Sequence, residues 1–110
     1  MEIAFRTKKL RKTFESGKEL AKTYGPQQAK KIKMRITELE AAATLADVPT
    51  EPPPRCHPLK GDRKGEYAVD LKHPWRLVFR PEELPSKDAD GNLDLSTVTS
   101  IIITNVEDYH

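Results

Sequence analysis

Two hydrophobic periods alternate along the chain and divide it into strands and helices. In residues 1–5, Ile3 and Phe5 share one face and Glu2 and Ala4 the other, the period of a short strand. Thr7 can then cap a helix over residues 8–24, because Leu10, Phe14, Gly17, Leu20, Ala21 and Tyr24 recur at three and four residues. The opposite face of that helix carries Lys8, Lys9, Arg11, Lys12, Lys18 and Lys22. Gly25-Pro26 ends it and starts another: glycine suits the left-handed position past a helix end, and proline suits a first turn. Residues 26–46 continue the helical period through Ala29, Ile32, Ile36, Leu39, Ala43 and Ala46. So short a connection predicts an antiparallel helical hairpin.

Four prolines in residues 48–55 forbid a helix and predict an extended crossing segment. A period of two then takes over. Tyr67, Val69 and Leu71 align in one strand; in the next, Trp75, Leu77 and Phe79 face inward, with Arg76, Val78 and Arg80 on the other side. The β-branched run in residues 98–106 predicts a central strand. The fold expected is α+β, ordered β-α-α-β-β-β, with the helical hairpin packed on a small antiparallel-rich sheet. Residues 1–110 are expected to form a single domain, with residues 81–97 an inserted acidic loop or hairpin extension turning at Asp90-Gly91. The offsets of Asp88, Asp90, Gly91, Leu93 and Asp94 faintly echo a calcium loop. However, Ser86 and Thr97 stand where its first and last carboxylates belong, and a strand follows rather than a helix, so no metal is expected.

The net charge of +2 conceals four blocks of alternating sign. Residues 1–35 hold eleven Lys and Arg against three acids, and residues 36–54 hold four acids and no base. Residues 55–80 hold seven bases against three acids, and residues 81–110 one base against seven. Basic blocks attract polyanions, largely through release of counterions from phosphates. The lone Cys56 can form neither an internal disulfide nor a cysteine-rich zinc site and reads as a half-buried apolar residue. The first ten residues lack the apolar core of a signal peptide, and no apolar run approaches the ~20 residues of a membrane span. A cytoplasmic protein with no membrane association is expected.

The polar residues able to do chemistry lie late in the chain. Residues 56–65 carry His57, Lys60 and Arg63; a strand carries Arg76 and Arg80; the chain ends Glu107-Asp108-Tyr109-His110. Cleaving RNA without a metal takes a group that removes the 2′-hydroxyl proton, a group that protonates the leaving 5′-oxygen, and cations for the phosphate. Histidine suits the proton transfers near neutral pH, and Arg and Lys suit the phosphate. His73 is read as a loop residue, since Pro74 marks an edge or turn.

The run His57-Pro58-Leu59-Lys60-Gly61-Asp62-Arg63-Lys64-Gly65-Glu66-Tyr67, then Trp75-Arg76-Leu77-Val78-Phe79, then terminal Val106-Glu107-Asp108-Tyr109-His110, resembles the HigB branch of the RelE/ParE toxin superfamily from end to end. The resemblance implies a RelE-like fold and a toxin that cleaves messenger RNA in the ribosomal A site, needs no metal or other cofactor, and is neutralised by a HigA-like helix-turn-helix antitoxin. It assigns His57 and His110 to proton transfer, Asp108 to orienting a partner, Tyr109 to positioning or stacking on a base, and Lys60 and Arg76 to the scissile phosphate. Arg63 joins them as a basic neighbour, and Glu107 is expected to matter less. One departure is plain: the family joins its last two strands by a tight turn, and here an acidic insertion intervenes. Two rival functions remain open at this point, a ParE-like inhibitor of DNA gyrase without enzymatic activity and a degenerate module that only binds an antitoxin.

Overall fold

The computed structural model describes residues 1–108; the expectations placed on Tyr109 and His110 lie outside the described residues. The chain begins with strand β1 (Glu2–Phe5) and passes through helices α1 (Lys8–Glu15), α2 (Gly17–Tyr24) and α3 (Pro26–Ala41). Strands β2 (His57–Pro58), β3 (Tyr67–Asp70), β4 (Trp75–Pro81) and β5 (Ser100–Asp108) follow. They form one five-stranded sheet in the order β1-β5-β4-β3-β2, with β1 parallel to β5 and the other neighbours antiparallel. The β-branched run thus lies in β5, between β1 and β4, as a central strand. Among the described residues, no helix is long and apolar enough to cross a membrane.

Three boundaries differ from the expected ones. The helix expected over residues 8–24 breaks at Ser16, whose extended backbone ends α1 and whose hydroxyl accepts from the Glu19 amide to start α2. Serine and glycine are both poor in a helix interior, and a serine hydroxyl competes for backbone amides. The second helix stops at Ala41 rather than Ala46. A 3-10 turn over Leu45–Asp47, boxed by Thr44 and Asp47, then buries Leu45 and Val48 while Ala43 and Ala46 remain exposed. Leaving the helix gains more apolar burial than two alanines could provide. His57 and Pro58, to which no element was assigned from the sequence, form the short edge strand β2 against Ala68 and Tyr67.

The core lies between the helices and one face of the sheet. Leu20, Ala29, Ile32 and Leu39 from the helices meet Tyr67, Val69, Leu77, Phe79, Ile101, Ile103 and Val106. Arg35 is only 3% exposed, three residues after Ile32 and four before Leu39 on the buried face of α3. Its Nε donates to the Asp70 carbonyl at 2.6 Å and its Nη1 to Glu38 at 2.6 Å, tying α3 to the end of β3. Gln28 donates to the Lys72 carbonyl and accepts from its amide, holding the β3–β4 turn.

One irregularity in β5 decides which residues reach the outer face. The β4–β5 pairing shifts between Val78 and Phe79, which face Asn105 and Ile103, so Thr104 is the extra residue of a bulge. Its hydroxyl donates to the Val78 carbonyl at 3.2 Å. Strict alternation from Ile101 and Ile103 would send Glu107 inward and Val106 outward. The bulge reverses this: Val106 enters the core, and Glu107 emerges beside Arg76.

Candidate active site

The sheet face away from the helices carries most of the polar residues singled out above. Directly paired residues share a face. One row runs His57, Ala68, Val78, Asn105; the next runs Asp70, Arg76, Glu107. Ala68 and Val78 are fully buried beneath Leu59, a small apolar cluster separate from the main core. Leu59 follows β2 and shares the outer face with His57, so the segment after His57 folds over the sheet and brings the 3-10 turn Gly61–Arg63 above it.

Arg63 reaches from that turn to Glu107 through two charge-assisted hydrogen bonds, Nη1 to Oε2 at 2.6 Å and Nη2 to Oε1 at 2.7 Å. Its Nε donates to Glu66 at 2.9 Å. Arg76 donates from Nη2 to the same Glu107 at 3.0 Å. Glu107 is therefore the hub that holds two candidate phosphate-binding arginines together. These bonds, Arg63 first and Arg76 second, lower its pKa to about 2 against the opposing effect of burial. The same hydrogen bonds raise the pKa of Arg63. Sequence reasoning did not foresee that Glu107 bonds both arginines. The signal was there in an acid opposite Arg76 on a neighbouring strand, but strict alternation hides it.

His57 is half-buried, and its Nδ1 stands 2.7 Å from the Arg55 carbonyl. A carbonyl only accepts, so Nδ1 carries the hydrogen. In the neutral ring the lone pair then lies on Nε2. Lys60 is exposed at the start of the 3-10 turn, and among the described residues neither Lys60 nor Lys64 has an ion pair. Asp108 pairs with Trp75, and alternation puts it on the helix-side face, opposite to that of His57. The structure thus brings His57, Arg63 and Arg76 onto one face, with Lys60 at its margin. Burial raises the Cys56 thiol to about 11, which leaves it protonated and inert at neutral pH.

The positive charge of the site comes from the second basic block. Most of the first lies on α1–α3, across the sheet from His57. The acidic segment between these strands leaves β4 at Pro81 and returns at Ser100, whereas Arg76, Glu107 and Asp108 sit at the other end of that strand pair. Five residues of strand separate the Arg76 and Pro81 positions, on the order of 16 Å.

No family model matches the sequence. The Endoribonuclease HigB of Proteus vulgaris is 27% identical over 107 residues, covering 97% of each chain. The fold is similar to the YoeB-YefM complex from Staphylococcus aureus, with TM-score 0.57, 16% identity, and coverage of 100% of this chain and 97% of the other. It is also similar to the YoeB/ParE toxin from Agrobacterium tumefaciens, with TM-score 0.58, 14% identity and full coverage of both chains. The chain is thus similar along nearly its whole length to an endoribonuclease of the HigB type, and it shares its fold with YoeB and ParE toxins.

Proposed function

We propose that this chain is the toxin of a toxin–antitoxin pair, an endoribonuclease that cuts messenger RNA on the ribosome with the outer sheet face as its site. The observation that carries this function is the setting of His57, whose Nδ1 is committed to a carbonyl on the face that also presents Arg63 and Arg76. The Proteus relative, an endoribonuclease by name, supports the activity, and the Staphylococcus complex supports an antitoxin partner. A HigA-like helix-turn-helix protein is the partner we expect, and the cytoplasm is where both would act.

In this mechanism one histidine of the pair His57 and His110 takes the proton from a ribose 2′-hydroxyl. The 2′-oxygen bonds to phosphorus, the bond from phosphorus to the 5′-oxygen breaks, and the other histidine protonates that oxygen. The products are a 2′,3′-cyclic phosphate end and a 5′-hydroxyl end. Lys60 and Arg76 bear the phosphate charge, and Arg63 joins them by trading a Glu107 oxygen for a phosphate oxygen. Asp108 and Tyr109 position His110 and the base.

Inducing the protein in growing bacteria tests the proposal. Growth arrest with cuts inside translated messages, relieved by co-expressing the neighbouring helix-turn-helix gene product, is the expected result. Intact messages with accumulating DNA breaks would overturn it in favour of gyrase inhibition.

A further inference from the structure

The residue two positions before His57 has a backbone and a side chain that both bear on that histidine. Arg55 has φ of 54°, in the left-handed region, as no other non-glycine described residue does. Such a conformation persists only where the surroundings enforce it. Here Asp70 supplies the enforcement. Its carboxylate receives Arg55 Nε at 2.6 Å and Nη2 at 2.8 Å, a bidentate pair. Its amide donates to the Pro54 carbonyl at 2.8 Å, and Pro54 is fully buried. Its own carbonyl accepts from the buried Arg35 of α3. Asp70 thus joins the proline-rich segment to β3 and to the helical layer, and Arg55 is locked between them. The reversed backbone at Arg55 aims its carbonyl at Nδ1 of His57.

We infer that Arg55 is a positioning residue for His57: clamped by Asp70, it presents its carbonyl so that the neutral ring exists as the Nδ1–H tautomer, with Nε2 as the proton-transferring atom. The inference rests on the proposed nuclease function for its catalytic consequence, but the tautomer itself is a property of the folded chain. A ring free to exchange tautomers would spend part of its time with the hydrogen on the wrong nitrogen, and the fraction able to act as a base would fall.

The test is the long-range proton–nitrogen spectrum of the imidazoles in the full-length protein, with the ring neutral, together with cleavage kinetics. Wild-type His57 is expected to show a protonated Nδ1 and a bare Nε2. Arg55→Gly keeps the left-handed backbone accessible while removing the clamp, and Asp70→Asn removes the other half of it. Both variants are expected to show mixed tautomers and a kcat lowered by ~10–100-fold with KM little changed. A wild-type ring protonated on Nε2, or mixed, overturns the inference whether or not either variant folds. So does a folded variant that loses kcat while keeping the wild-type tautomer. Absence of any nuclease activity in the wild type would instead remove the proposed function and leave the tautomer result to be judged alone.

Discussion

At Glu107 one carboxylate holds the guanidinium groups of Arg63 and Arg76 and loses most of its affinity for a proton. Its folded pKa, lowered to about 2 from 4.5, means that the unfolded chain binds this proton more readily. The resulting stability is fully present above about pH 4.5 and disappears as pH falls through about 2. Glu107→Gln should therefore flatten the acid limb of the stability curve, removing about 1–3 kcal/mol of pH-dependent stability, read from urea midpoints between pH 5 and pH 2. An unchanged acid limb would show that the hub does not hold in solution. Cys56 invites a simpler test. Buried and protonated, it should react slowly with iodoacetamide in the native protein and rapidly in denaturant. Equal rates would contradict its burial in the core.

At the level of elements, the bulge at Thr104 matters more than any helix boundary. Inserting one residue between Asn105 and Val106 turns Glu107 toward the core, so it should cost at least about 3 kcal/mol, because an unpartnered carboxylate is then buried. Thr104→Ser keeps the residue count and a hydroxyl for the Val78 carbonyl and should cost far less in the same urea titration. The period-two runs of β3 and β4 were legible in the sequence because a half-buried strand writes its period directly into its side chains. The helical stripes were legible for the same reason, at their own period. The break at Ser16 was less so, since the apolar spacing continues across it and only capping chemistry interrupts it. Ser16→Ala should lower stability by about 0.5–2 kcal/mol through loss of that cap. Neither β2 nor the bulge could be read in advance. A two-residue strand has no period, and a bulge is the place where the period fails.

Across the whole molecule, the acidic segment 81–97 and the Arg76–Glu107 end of the candidate site occupy opposite ends of the β4–β5 pair. The acidic segment therefore need not repel the phosphates bound near Arg76. At physiological salt the screening length is about 8 Å, shorter than the strand length between them. Changing Glu82, Glu83, Asp88, Asp90 and Asp94 to their amides should thus leave the cleavage rate within about threefold, and a larger gain would mean that the loop folds back over the site in solution. The terminal resemblance motif and His57 were legible only as a family likeness, because single histidines carry no period and their partners come from distant parts of the chain. The geometry adds a reason for His57 to be chemically competent, in the carbonyl that fixes its tautomer. The most direct measurement is cleavage of ribosome-bound messenger RNA by purified protein, comparing wild type with His57→Ala and with a chain lacking His110, each shown to be folded by circular dichroism. Each variant is predicted to lose ~10²–10⁴-fold in rate, with the double variant little worse than either single one. Cleavage by folded His57→Ala at the wild-type rate would contradict a site centred on this histidine.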